Sequence, residues 1–206
     1  MTFQPLLRRA TAFALAVLVV QAASAQTAQP LDIGTALPAA DRSMQGTGGA
    51  AMTLGQAMGD QGLAVVFWSN TCPWVAKYDE RVRALADEYE AAGVGFVLVN
   101  ANDPGAYPEE SFAAMQTLAS QNGYGFPYLV DEGSEAAKAF GASRTPQVFL
   151  FDTSQTLVYE GTVDDSPSDP SGVEEEFFRD AMNQLIAGTE ITVQKTNAFG
   201  CTIKFY

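Results

Sequence analysis

Two apolar runs separated by one amphipathic stretch restrict this chain more than any other feature. Residues 63–68 (Leu-Ala-Val-Val-Phe-Trp) carry no polar side chain, which suits a strand buried on both faces of a sheet. Residues 94–100 form a second apolar strand. Between them Val75, Tyr78, Val82, Leu85 and Tyr89 recur at close to helical spacing, and Gly93 is placed to end that helix. The alternation continues downstream. A loop at Asn102-Asp103-Pro104-Gly105 leads to a helix opening at Pro108 or Glu109, with Phe112, Met115 and Leu118 on one face. A short strand at 128–130, a helix at 132–140 ended by Gly141, and a hairpin of 147–151 with 156–161 follow. A last helix is expected at 173–186, with Glu174, Glu175 and Glu176 in its first turn, where the dipole favours acids. Strands alternating with helices imply an α/β sheet covered on both faces.

The two ends read differently. Arg8 and Arg9, then an apolar stretch from Ala10 to Val20 broken only by Thr11, then Ala23-Ser24-Ala25, have the pattern of a secretory signal peptide. The apolar stretch is short for a membrane span. We therefore expect residues 1–25 to be a leader, the mature chain to be soluble and periplasmic, and no stable membrane association after cleavage. Residues 26–51 read as an N-terminal arm with a turn at Gly46-Thr47-Gly48-Gly49. Residues 194–206 read as a tail whose apolar residues are Ile203 and Phe205.

Charge and composition narrow the chemistry. The formal net charge is −13, and loss of Arg8 and Arg9 with the leader would deepen it. So acidic a chain lacks the cations that neutralise phosphates, which argues against nucleic acid and anionic membranes as partners. The chain has no histidine, which removes Ser-His and Cys-His mechanisms and the commonest transition-metal ligand. No cofactor and no metal is expected. Asn102, Asp103, Asp164 and Asp165 could offer oxygen ligands to a cation, but their spacing fits no compact loop, and Asx turns account for them better.

Cys72 and Cys201 are the two cysteines, and an oxidising compartment permits them to pair. Cys72 stands where a buried strand gives way to a helix, with Pro73 in the first turn. A thiol there lies near unpaired N–H groups and the positive end of the helix dipole, which favour the reactive thiolate. Ser69 and Thr71 could add hydroxyl donors. The position also admits a small buried apolar cysteine with no reaction.

Phe67-Trp68-Ser69-Asn70-Thr71-Cys72-Pro73-Trp74 resembles the active-site segment of the thioredoxin superfamily, and Arg144-Thr145-Pro146 resembles its second signature. With Val99-Asn100-Ala101-Asn102-Asp103-Pro104, Phe126-Pro127-Tyr128, Val163-Asp164-Asp165 and Gly200-Cys201-Thr202-Ile203-Lys204, the chain is similar to the redoxin branch. That branch holds alkyl hydroperoxide reductases and thiol-specific antioxidant proteins, and the likeness is to its exported single-domain members. The resemblance implies a thioredoxin-like three-layer α/β/α sandwich with a mixed central sheet and an N-terminal extension, over residues 26–190. A tail at 191–206 would carry Cys201. It also implies Cys72 as the catalytic thiol, with Pro73, Trp74, Thr145 and a cis Pro146 on the substrate-binding face. Partners would be protein or small-molecule thiols and disulfides.

The chain departs from the superfamily's Cys-x-x-Cys, because Val75 holds the fourth position. Three outcomes are therefore open: Cys72 pairs with Cys201, acts as a single thiol, or is redox-silent. Thiol–disulfide exchange with Cys72 attacking and Cys201 resolving is the leading expectation. Thiol-dependent peroxide reduction is a second, with Arg81 or Arg144 as the polarising cation. A binding module without turnover is a third. The oligomeric state is left open.

Overall fold

The computed structural model describes Met1 and residues 30–206. The leader assigned to residues 1–25 falls, Met1 aside, outside the described residues. The chain runs β1 (Met44–Gly46), β2 (Ala51–Met52), β3 (Gly62–Trp68), α1 (Pro73–Ala91), β4 (Val94–Asn100), α2 (Phe112–Asn122), β5 (Tyr128–Val130), α3 (Glu135–Phe140), β6 (Arg144–Thr145), β7 (Gln147–Phe151), β8 (Leu157–Gly161), α4 (Phe177–Ala187) and β9 (Cys201–Thr202). Seven strands form one mixed sheet in the order β2-β1-β5-β4-β3-β7-β8, and β6 and β9 form a separate antiparallel pair. At the centre, β3 pairs parallel with β4 and antiparallel with β7.

Every residue of β3 is buried, and the two-residue period of a strand splits its side chains between two cores. Ala64, Val66 and Trp68 face a layer made by α1, α2 and α4, through Val75, Tyr78, Val82, Met115, Phe178 and Met182 among others. Leu63, Val65 and Phe67 face α3 and the N-terminal segment, through Phe140, Ala137, Leu37 and Leu54. On that second face Phe140 meets Phe67, Phe149 and Phe151 edge-on, at centroid distances of 5.3, 5.1 and 5.7 Å. Each such pair adds about 0.5–1.5 kcal/mol beyond its buried area. The result is the three-layer sandwich anticipated from the sequence, with β1 and β2 forming the hairpin about Gly46–Gly49.

Three helices begin later than the sequence pattern suggests; the one expected from residue 132 starts at Glu135, because Gly133, with φ 75°, breaks the 3-10 turn Glu132–Ser134 from it. Pro108–Glu110 form one 3-10 turn, and Ser111 adopts extended backbone before α2 starts at Phe112. The break lets Glu110 turn inward, where it is 1% exposed. In the last helix, Glu174 and Glu175 precede the helix and Glu176 caps it, so the three acids are not its first turn. The cause is a competing pairing: Asp165 N donates to Glu175 O, Glu174 N to Asp165 Oδ1, and Phe178 N to Val163 O. These bonds hold residues 174–176 against the 163–165 loop.

Candidate active site

The site lies where β3 hands over to α1. After Trp68 the chain makes a three-residue loop, Ser69-Asn70-Thr71, and Cys72 becomes the helix N-cap with extended backbone (φ −71°, ψ 120°). Pro73 follows at the first helical position, where its missing N–H costs nothing. Cys72 is 3% exposed. Pro73 is exposed and Trp74 half-buried beside it, with Phe199 edge-on at 4.6 Å and the Lys77 ammonium over its ring.

The opposite wall is β6. The Thr145–Pro146 peptide is cis, and both residues are buried. The Thr145 carbonyl oxygen lies 3.1 Å from Cys72 Sγ. Cys201 sits directly across from Thr145 in the β6–β9 register, and its sulfur is bonded to that of Cys72, with the two Cα atoms 5.9 Å apart. That separation is within the ordinary range for a disulfide. Three segments far apart in sequence therefore meet at one sulfur pair: the N-terminus of α1, the cis proline and the chain's tail. Val75, in the fourth position of the motif, is buried in the core.

The tail is built into the fold. Ile203 is 3% exposed in the core beneath α3. Ile203 N donates to Ser143 O at 3.0 Å, Asp103 N to Lys204 O at 2.7 Å, and Lys204 N to Asn102 Oδ1 at 2.9 Å. Arg144 Nη1 donates to Thr202 Oγ1 at 2.6 Å. Gly200 is required here: a Cβ on it would lie 2.1 Å from the Thr145 carbonyl oxygen.

The hydroxyls of Ser69 and Thr71 do not serve Cys72 as donors, contrary to the expectation from sequence. Both turn to the buried Glu110 carboxylate, Ser69 Oγ donating at 2.5 Å and Thr71 Oγ1 at 2.6 Å. Asn70 N, Thr71 N and Asn100 Nδ2 donate to the same carboxylate at 2.9, 3.2 and 2.9 Å. A buried anion attracts donors more strongly than a thiol can. Burial works against the charged form of Glu110, but the hydrogen bonds from Ser69, Thr71, Asn70 and Asn100 outweigh it and hold the carboxyl below its usual range. Lys204 Nζ stands 3.9 Å from Glu110 Oε1 and donates to Thr71 Oγ1 at 3.2 Å. Ser69 Oγ in turn accepts from Cys72 N at 3.1 Å. Glu110 thus fixes the loop that aims Cys72. Nothing in Pro108-Glu109-Glu110 signals this, because an acid near a helix start reads as an ordinary solvated one.

The remaining candidates are engaged elsewhere. Arg81 is paired with Asp164 and also donates to Ser166 O and Pro167 O, while Arg144 is bonded to Thr202. Both guanidiniums have partners other than Cys72. Asp103 accepts from Gly105 N in an Asx turn, Asn102 bridges Asn100 and Lys204, and Asp165 accepts from Glu174 N.

A mixed sheet between two helical layers, with a disulfide seated beside a cis Thr–Pro peptide, is a thioredoxin-type arrangement. The chain belongs to the Redoxin family, whose model matches residues 32–176. Among solved structures it is similar to a hypothetical protein of Sinorhizobium meliloti 1021, at 35% identity over 86% of this chain and 97% of that one, with a TM-score of 0.79. It is also similar to an uncharacterized conserved protein of Geobacillus kaustophilus, at 34% identity over 85% of this chain and 93% of that one, with a TM-score of 0.80. Among curated proteins it resembles the thiol-disulfide oxidoreductase ResA of Halalkalibacterium halodurans, at 26% identity over 98 residues. That match covers 48% of this chain, and the chain spans about half (52%) of the relative's length.

Proposed function

We infer that this chain is an exported thiol–disulfide oxidoreductase, acting in the periplasm on protein or small-molecule thiols and disulfides through the pair Cys72–Cys201. The observation that carries this reading is the seating of that pair between the N-terminus of a 19-residue helix and the carbonyl before a cis proline. The printed activity of the ResA relative supports it, and the leader-like residues 1–25 support export. A thiolate of a partner dithiol attacks one sulfur and forms a mixed disulfide, while the other cysteine departs as thiolate. The partner's second thiol then completes its own disulfide and leaves both cysteines reduced. Run backwards, the same steps reduce a partner disulfide. Pro73 and Trp74 would form the face on which the partner lies, with the buried Thr145 and Pro146 behind it.

The test is turnover of a peptide dithiol and of insulin disulfides by purified protein and by Cys72→Ser. Wild type should turn over, and Cys72→Ser should lose at least a hundredfold. Undiminished turnover in that variant would remove the assignment.

A further inference from the structure

The geometry points to Cys201, not Cys72, as the sulfur that a partner meets first: the mixed disulfide forms on the tail, and Cys72 is the internal partner that departs and returns. This rests on the oxidoreductase reading above and reverses the order the sequence suggests. A thiolate attacks a disulfide along the line of the S–S bond, so it must reach the chosen sulfur from the side away from the other. Cys72 is 3% exposed and belongs to the buried cluster that also holds Trp68 and Val75. The Thr145 carbonyl oxygen, 3.1 Å from its sulfur, presents lone pairs that repel an approaching anion. Cys201 is partly exposed on β9, which pairs with β6 alone.

Opening the bond would not uncover Cys72, because the tail is held by more than sulfur. Ile203 is buried, and the Ile203–Ser143, Lys204–Asp103 and Lys204–Asn102 hydrogen bonds lie beyond the disulfide. In the forward step the partner's R–S⁻ attacks Cys201 Sγ. The R–S–Sγ bond forms, the Cys72–Cys201 bond breaks, and its electron pair leaves on Cys72 Sγ at the positive end of α1, where negative charge is favoured. That sulfur then takes a proton from solvent, and the resulting thiol can donate to the Thr145 carbonyl. The partner's second thiolate attacks its own sulfur in the mixed disulfide and releases Cys201 as thiolate. Two electrons have passed from the partner dithiol to the pair.

The experiment reacts Cys72→Ser and Cys201→Ser separately with oxidised glutathione and follows the adduct by intact mass. Cys72→Ser, which keeps Cys201, should form its glutathione adduct at least tenfold faster than Cys201→Ser. Equal rates, or a faster Cys201→Ser, would overturn the assignment. If either variant loses its native circular dichroism, oxidised wild type is treated with reduced glutathione, quenched in acid and mapped. Adduct on Cys201 supports the assignment and adduct on Cys72 overturns it. Wild-type turnover of a peptide dithiol is read in parallel. Adduct on Cys72 with turnover intact sinks only the choice of sulfur, whereas absent turnover sinks the oxidoreductase reading itself.

Discussion

A carboxylate that is 1% exposed and accepts five hydrogen bonds is costly to bury and more costly to disturb. Glu110→Gln keeps the shape but sets an amide NH2 against hydroxyl and backbone donors. We expect a loss of about 2–4 kcal/mol in urea unfolding at neutral pH. The pH dependence has a definite sign. Because the carboxyl is held below its usual range, its contribution is complete above the unfolded glutamate pKa of about 4.3 and fades as pH falls through the lower folded value. Wild type should therefore lose stability on acidification from pH 5 to 3 more steeply than Glu110→Gln, and the two should converge at low pH. A constant gap across that range would show that the charge is not what matters. Glu110 had no sequence signature, because its importance comes from the three-residue loop it meets, some forty positions earlier. Cys72, Pro73, Thr145 and Pro146 were legible for the opposite reason: each sits in a short local pattern.

Elements that obey a period were readable, and the two-residue strands Arg144–Thr145 and Cys201–Thr202 were missed. Gly62–Trp68, Pro73–Ala91 and Val94–Asn100 lie within a residue or two of their expected limits, since each has a long apolar or amphipathic repeat. Cys201–Thr202 spans two residues and carries no repeat at all. Its one clue is the apolar Ile203 beside it, which the sequence alone gives no partner. The structure makes Ile203 the pin of the tail. Ile203→Ala should cost about 2–4 kcal/mol from the cavity it leaves under α3. It should also slow re-closure of the Cys72–Cys201 bond after reduction, because a looser tail presents Cys201 less often. Thiol counting during reoxidation measures this, and unchanged closure with lowered stability would separate the packing role from the positioning one.

At the scale of the molecule, the α/β sandwich followed from alternating strand and helix patterns, while the pairing of the two sulfurs was one of three outcomes the sequence leaves open, because it depends on where a tail returns in space. That return has a covalent consequence. Cys72 and Cys201 are 129 positions apart, so most of the chain lies inside one ring closed by their bond. A protease that nicks a surface loop such as 104–107 or 165–172 would leave two pieces that still migrate as one on a gel run without reductant. With reductant they should part into fragments whose sizes report the cut. Fragments that separate without reductant would mean that the ring is open in solution.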